Sequence, residues 1–132
     1  MNIDDVDQFE RVRSQITQLH KEMTVLAKSK PDNPINKFKL ALINEKLQQA
    51  NGFLVGSFKP IDGFELFEES GLPSNSDVVL VTAQYLAALE GWRSAQVAYD
   101  QFKFEWYWKT DDGPRISGEP PSGFRKNLKD RL

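Results

Sequence analysis

The chain has 132 residues, a formal net charge of −2 and no cysteine, and 39% of its residues are hydrophobic. This length suits one domain, or one domain with a tail, and the composition is too apolar for a disordered chain. No stretch approaches the roughly 18 apolar residues that span a bilayer, and the acidic N-terminus lacks the features of a signal peptide. The absence of cysteine excludes disulfides and thiolate chemistry, so we expect a cytoplasmic protein.

The chain also lacks most of the residues that catalysis and metal binding require. His20 is its only histidine, which excludes multi-histidine metal sites. Glycine-rich phosphate-binding loops are absent from the sequence. The acids Asp62, Glu65, Glu68 and Glu69 lack the alternating spacing of a calcium loop and are interpreted as a solvated face. We therefore expect no metal, no cofactor and no catalytic residues.

The first predicted helix covers residues 4–29. Its apolar residues recur at alternating intervals of three and four, which is typical of a packing seam. They are Phe9, Val12, Ile16, Leu19, Met23 and Leu26. Because fewer than four heptads are present, we expect this seam to pack against another helix of the same chain.

Two further helices are predicted. Pro31 and Pro34 end the first helix, and a second should follow over residues 36–51, forming an antiparallel hairpin with the first. Residues 52–76 are a long connection rich in Gly, Pro and Phe, which we expect to dock through its phenylalanines. These are Phe53, Phe58, Phe64 and Phe67. The third helix should begin near residue 76 and continue at least to residue 97.

An aromatic segment follows, FKFEWYWK at residues 102–109. Phe or Trp stands at every second position, and the positions between are Lys103, Glu105, Tyr107 and Lys109, which is typical of a strand. A lone strand leaves its backbone groups unpaired unless residues 52–58 or another subunit supplies a partner, and no second strong strand pattern is present. The third helix is therefore predicted to continue to about Trp108. The fold class is mainly α, a small helical bundle of a helical hairpin and a long third helix, with residues 1–110 as the domain and 111–132 as an extended basic tail docked on it or on a partner.

Charge is segregated along the chain although the net charge is small. Residues 1–10 carry four acids and no base, and residues 20–60 carry seven lysines against three acids. Residues 60–92 contain six acids and no lysine or arginine, while residues 114–132 have a net charge of +3. Such blocks either face one another within the fold or form separate patches that steer partners.

The aromatic segment predicts the function. Tryptophan, tyrosine and arginine dominate protein interfaces, because they bury a large area at little entropic cost. We expect a non-enzymatic protein-binding module, such as an adaptor, inhibitor or regulatory subunit, with homo-oligomerisation possible. The expected contact residues are Trp106, Tyr107, Trp108, Lys109, Arg125, Lys126, Lys129 and Arg131. Alternatively, several of these rings close the end of the core.

Two other functions stay open. The lysines of residues 20–60 and the basic tail are also consistent with a nucleic-acid-associated helical protein. Separately, Arg13 and His20 lie two helical turns apart on one face of the first helix. This pair resembles the Arg-x(4–6)-His motif of HEPN-type ribonucleases, and the resemblance implies an RNA-cleaving function. The resemblance covers these two residues alone. Alternatively, Arg13 and His20 are ordinary polar residues beside the apolar seam of the first helix.

Overall fold

The structure is a computed structural model that describes residues 1–111 and 113–123. Within these residues it contains three α-helices, a short 3₁₀ helix and a β-hairpin. Helix α1 spans Ile3–Ser29, α2 spans Lys37–Asn51, and α3 spans Asn75–Ala95, while the 3₁₀ turn is Gly56–Phe58. The predicted small helical bundle is confirmed.

Each helix begins at a side chain that satisfies a free backbone N–H. The Asn2 side chain accepts from the Asp5 N–H at 3.0 Å, and the Asp5 carboxylate accepts from the Asn2 N–H at 2.9 Å. Asn36 and Ser74 cap α2 and α3 in the same way. A cap of this kind contributes about 1 kcal/mol to stability. The three helices begin within one residue of their predicted starts.

The contacts between the helices define their directions. The Phe9 and Trp92 rings lie 4.9 Å apart at one end of the bundle. At the other end, the Asn75 side chain donates to the Lys30 carbonyl at 2.9 Å. The start of α1 is thus beside the end of α3, so these two helices are antiparallel.

The second helix begins beside the third. The Ile35 N–H donates to the Pro73 carbonyl at 2.9 Å, and the Asn75 N–H donates to the Asn33 carbonyl at 2.9 Å. Since α2 starts at the end of α1, and Phe53 just after α2 reaches back to Phe9 at 5.6 Å, α1 and α2 form the predicted antiparallel hairpin.

The core lies between the three helices and under the long connection. The α1 seam is confirmed, because four of its residues are fully buried and Leu19 and Leu26 pack against them. All four phenylalanines of the connection also pack against the core. The Asn44 side chain fixes this connection by donating to the Phe67 carbonyl at 2.9 Å and accepting from the Phe67 N–H at 3.0 Å.

The segment after α3 is a β-hairpin, so the prediction that helix continues to Trp108 was wrong. Strand β1 spans Val97–Asp100 and pairs antiparallel with β2, Glu105–Trp108. The register places Val97 opposite Trp108 and Asp100 opposite Glu105. The partner strand of β2 is therefore the segment just before it in the chain, residues 97–100, which was predicted as helix. Local pairing satisfies the backbone of both strands.

Residues after the hairpin cover the outer edge of β2. The Trp108 N–H donates to the Ile116 carbonyl and the Gly118 N–H donates to the Trp106 carbonyl, each at 2.9 Å. Gly118 suits this close approach, because a Cβ there would lie 3.2 Å from Val97 Cγ1 and the valine side chain would have to shift. The sheet has two strands, and an isolated bridge between Tyr107 and Ser117 covers part of an edge that could otherwise pair with another chain.

Candidate protein-binding site

The base of the hairpin belongs to the hydrophobic core. Trp108 is 4% exposed, and its ring centroid lies 5.6 Å from that of Phe9 and 6.4 Å from that of Trp92. A partner cannot touch a side chain that is buried in this way. Trp108, one of the predicted contact residues, therefore closes the core instead of forming a binding surface.

In the middle of the hairpin, Trp106 and Tyr107 are half-buried and Tyr99 is exposed. Trp106 and Tyr99 face each other across the two strands, with ring centroids 5.3 Å apart. Tyr107 points to the opposite face, where the Arg115 guanidinium lies 4.1 Å from its ring centroid. The exposure of the aromatic side chains thus increases from the base of the hairpin to its tip.

The tip of the hairpin, residues 101–104, carries the two most exposed phenylalanines among the described residues. Phe102 is 86% exposed and Phe104 is 80% exposed. We call this pair the aromatic tip. Phe104 also has φ = 55°, a left-handed conformation that costs a residue with a Cβ roughly 1–2 kcal/mol. Neither ring of the aromatic tip is buried, and the backbone of Phe104 is in an unfavourable conformation. The aromatic tip therefore does not stabilise the fold.

Asp100 organises the turn beneath the aromatic tip. One carboxylate oxygen accepts from the N–H groups of Phe102 at 2.9 Å and Lys103 at 3.2 Å, and the other accepts from Arg115 at 2.6 Å. The Phe102 N–H is the main reason that the pKa of Asp100 lies below its ordinary value, and the Lys103 N–H and the Arg115 charge act in the same direction. These bonds give an otherwise exposed turn a defined shape.

A shallow groove lies beside the aromatic tip. It has a volume of about 340 Å³, and its walls include Tyr99, Phe102, Lys103, Tyr107 and Arg115. Aromatic rings and two cations therefore meet in one open concavity next to the exposed phenylalanines.

The remaining predicted contact residues lie apart from this groove or beyond the described chain. Lys109 is exposed just after β2, and its N–H donates to the Gln96 carbonyl at 2.8 Å. Arg125, Lys126, Lys129 and Arg131 lie outside the described residues. Sequence reasoning missed Phe102, Phe104 and Arg115 as site residues. Asp100 could have indicated the turn, since Asp commonly hydrogen-bonds the backbone two residues on.

Residues 113–123 are fastened to the end of α3 by a buried arginine. The Arg93 guanidinium pairs with Glu90 and donates to the carbonyls of Glu119 at 2.9 Å and Pro120 at 2.8 Å. The Ser122 hydroxyl donates to the same Glu90 at 2.7 Å. The Arg93 hydrogen bonds are the main reason that the pKa of Glu90 is low. This attachment holds residues 113–123 where Arg115 can contact Asp100 and Tyr107 of the hairpin.

Arg13 and His20, the pair that resembles the ribonuclease motif, both make structural contacts. Arg13 pairs with Glu10 at 2.7 Å and lies 3.6 Å from Glu90. His20 Nδ1 lies 2.8 Å from the Thr82 hydroxyl. The same hydroxyl lies 2.8 Å from the Val78 carbonyl of α3. Both side chains thus have roles in joining α1 to α3.

A second exposed aromatic lies in the basic part of the chain. Phe38, in the first turn of α2, is 79% exposed. Lys37 and Lys39 on either side of it are exposed, as are Lys28 and Lys30 at the end of α1. An aromatic ring among lysines is one arrangement that binds single-stranded nucleic acid.

Comparison with known proteins gives no further assignment of these sites. Family models, curated proteins and solved structures were each compared with the chain, and none matches it. Within residues 1–111 and 113–123, no helix is long and apolar enough to cross a membrane. In the same part of the chain, no group of three or more His, Asp or Glu side chains is placed to hold a metal ion.

Proposed function

We propose that the protein is a non-enzymatic, cytoplasmic protein-binding module, an adaptor, inhibitor or regulatory subunit, whose contact surface is the aromatic tip. The observation that carries this proposal is the combination of 80% exposure and φ = 55° at Phe104. A bulky side chain in a strained and exposed position destabilises the free protein. Such strain is a recognised feature of functional sites, and a partner that buries the ring would recover its hydrophobic free energy.

The shape of the hairpin supports the same function. Its base is anchored in the core by Trp108, and Trp106 packs against the core from the middle of the hairpin, whereas Phe102 and Phe104 are exposed. The tip therefore projects beyond the part of the hairpin that the core holds. A projecting pair of aromatic rings fits a pocket on a partner, where large side chains that lose little entropy contribute most of the binding free energy.

The test compares two variants that each remove equally exposed phenylalanines. Phe102→Ala with Phe104→Ala removes the aromatic tip, and Phe38→Ala removes a ring of matched exposure on α2. Proteins captured from cell extract by the immobilised wild type are identified, and their affinities for all three proteins are measured. We expect the tip variant to bind its partner more than tenfold more weakly, and Phe38→Ala to bind as the wild type does.

Circular dichroism of both variants controls for folding. Equal partner affinity of the wild type and a folded tip variant would contradict the proposal, as would a partner that is lost only on Phe38→Ala.

Phe38 and its neighbouring lysines support a second candidate function, association with single-stranded nucleic acid. Titration of a fluorescent oligouridine measures it, in salt from about 50 to 200 mM, where phosphate-driven affinity falls steeply. This function predicts binding that weakens on Phe38→Ala and on Lys37→Glu with Lys39→Glu. It is excluded if the oligonucleotide does not bind at the low-salt end or if these variants bind it unchanged.

A further inference from the structure

The groove beside the aromatic tip contains two cations that the fold leaves largely free. Within the described part of the chain, the Arg115 guanidinium has its one hydrogen bond with Asp100, and its side chain is 56% exposed. The Lys103 side chain is exposed and has no ion pair or hydrogen bond to any residue that the structure describes. Both cations line the groove. Asp100 pairs with Arg115, so of these two cations Lys103 is the one left without an ion pair to a described residue.

The acids near the groove do not cancel this charge. Asp100 is 8% exposed, and both of its oxygens already accept from Phe102, Lys103 and Arg115. Glu105, the next acid along the hairpin, does not line the groove. An anionic group entering the groove would therefore meet two cations and a carboxylate that is already compensated.

Arg115 is also held in one orientation. Its guanidinium stacks on Tyr107 at 4.1 Å and bonds Asp100 at 2.6 Å. A planar guanidinium fixed in this way can donate its remaining N–H groups to a carboxylate at little further entropic cost. Phe102 also lines the groove and supplies an apolar wall.

We infer that the groove recognises an acidic side chain, Asp or Glu, adjacent to an apolar residue in an extended segment of the partner protein. This inference rests on the proposed function and names the chemistry of the partner. The carboxylate would lie between Lys103 and Arg115 and the apolar neighbour against the aromatic tip. A protein ligand is favoured over a nucleic acid because the groove presents two cations, Lys103 and Arg115, beside aromatic residues, which is too few to neutralise a run of backbone phosphates.

The test uses a phage-displayed library of short random peptides, selected on the wild-type protein, with affinities measured by fluorescence anisotropy. Selected peptides should carry Asp or Glu next to an aromatic or aliphatic residue. Lys103→Glu should weaken their binding roughly tenfold, since it places a like charge beside the carboxylate. Lys21→Glu is the matched control, because it makes the same charge reversal at an exposed lysine of α1 that does not line the groove. It should leave affinity within about twofold of wild type.

Each other result is informative. Peptides that need the aromatic tip but contain no acid, or that respond equally to Lys103→Glu and Lys21→Glu, would overturn the inference while leaving the proposed function intact. If the affinity of the selected peptides is unchanged when the aromatic tip is removed, that result would contradict both this inference and the proposed function. Recovery of no peptide, or binding of oligouridine that depends on Lys103, would also overturn it.

Discussion

Phe104 differs from every other non-glycine residue that the structure describes, because it alone has a positive φ. Four-residue hairpin turns need one left-handed residue, and glycine or asparagine normally supplies it. A phenylalanine in that position keeps its strain in the free protein and gains nothing from its exposed ring. The conformation at this one residue links the shape of the turn to the proposed binding function.

Phe104→Gly should therefore stabilise the free protein while weakening partner binding. Relief of the left-handed strain is worth about 1–2 kcal/mol, and the greater freedom of unfolded glycine costs about 0.5–1 kcal/mol. The expected net gain in the free energy of unfolding is about 0.5–1 kcal/mol, measured by urea denaturation.

Lys103→Gly is the control for Phe104→Gly, because Lys103 lies in the same turn without a positive φ. It should lose about 0.5–1 kcal/mol through the entropic term alone. A loss of stability on Phe104→Gly as large as that on Lys103→Gly would show that Phe104 is not strained.

At the scale of elements, the helices could be predicted from the sequence and the hairpin could not. The apolar spacing in α1 and the capping residues of α2 and α3 are local features, readable within a few turns of chain. Strand β1 has four residues, VAYD, directly after a helix, and such a short segment has too few positions to show alternation. The turn contains no Gly, Asn or Pro to indicate a hairpin.

The candidate site was predicted only in part for the same reason. The alternation of FKFEWYWK indicated an aromatic face, but exposure along that face depends on the distance from the core. The register, which places Trp108 against Val97, sends the last tryptophan inward and the two phenylalanines outward. Arg115 reaches the site through the Arg93 contacts with Glu119 and Pro120, which no local pattern indicates.

At the scale of the whole molecule, the charge blocks contribute little to holding the described elements together. Most ion pairs in the described part join near neighbours, such as Arg93 with Glu90 and Lys46 with Glu45. Lys59 with Glu65 joins the basic block to the acidic block, again over a short separation in sequence. The blocks are therefore largely left on the surface, where they can steer a charged partner.

The molecule consists of a helical bundle that supports a projecting hairpin. One end of the aromatic segment is part of the core that stabilises the bundle, while the other end is exposed. Stability and binding should for this reason depend on different residues of one eight-residue segment, residues 102–109. This separation is the central claim about the molecule.

Urea denaturation of two variants tests that claim most directly. Trp108→Ala leaves a cavity against Phe9 and Trp92 and should lower the free energy of unfolding by about 3–5 kcal/mol. Phe102→Ala with Phe104→Ala removes only exposed rings and should change it by about 0.5 kcal/mol or less. Equal losses for the two variants, or a larger loss for the tip variant, would contradict the division of this segment into a core end and a binding end.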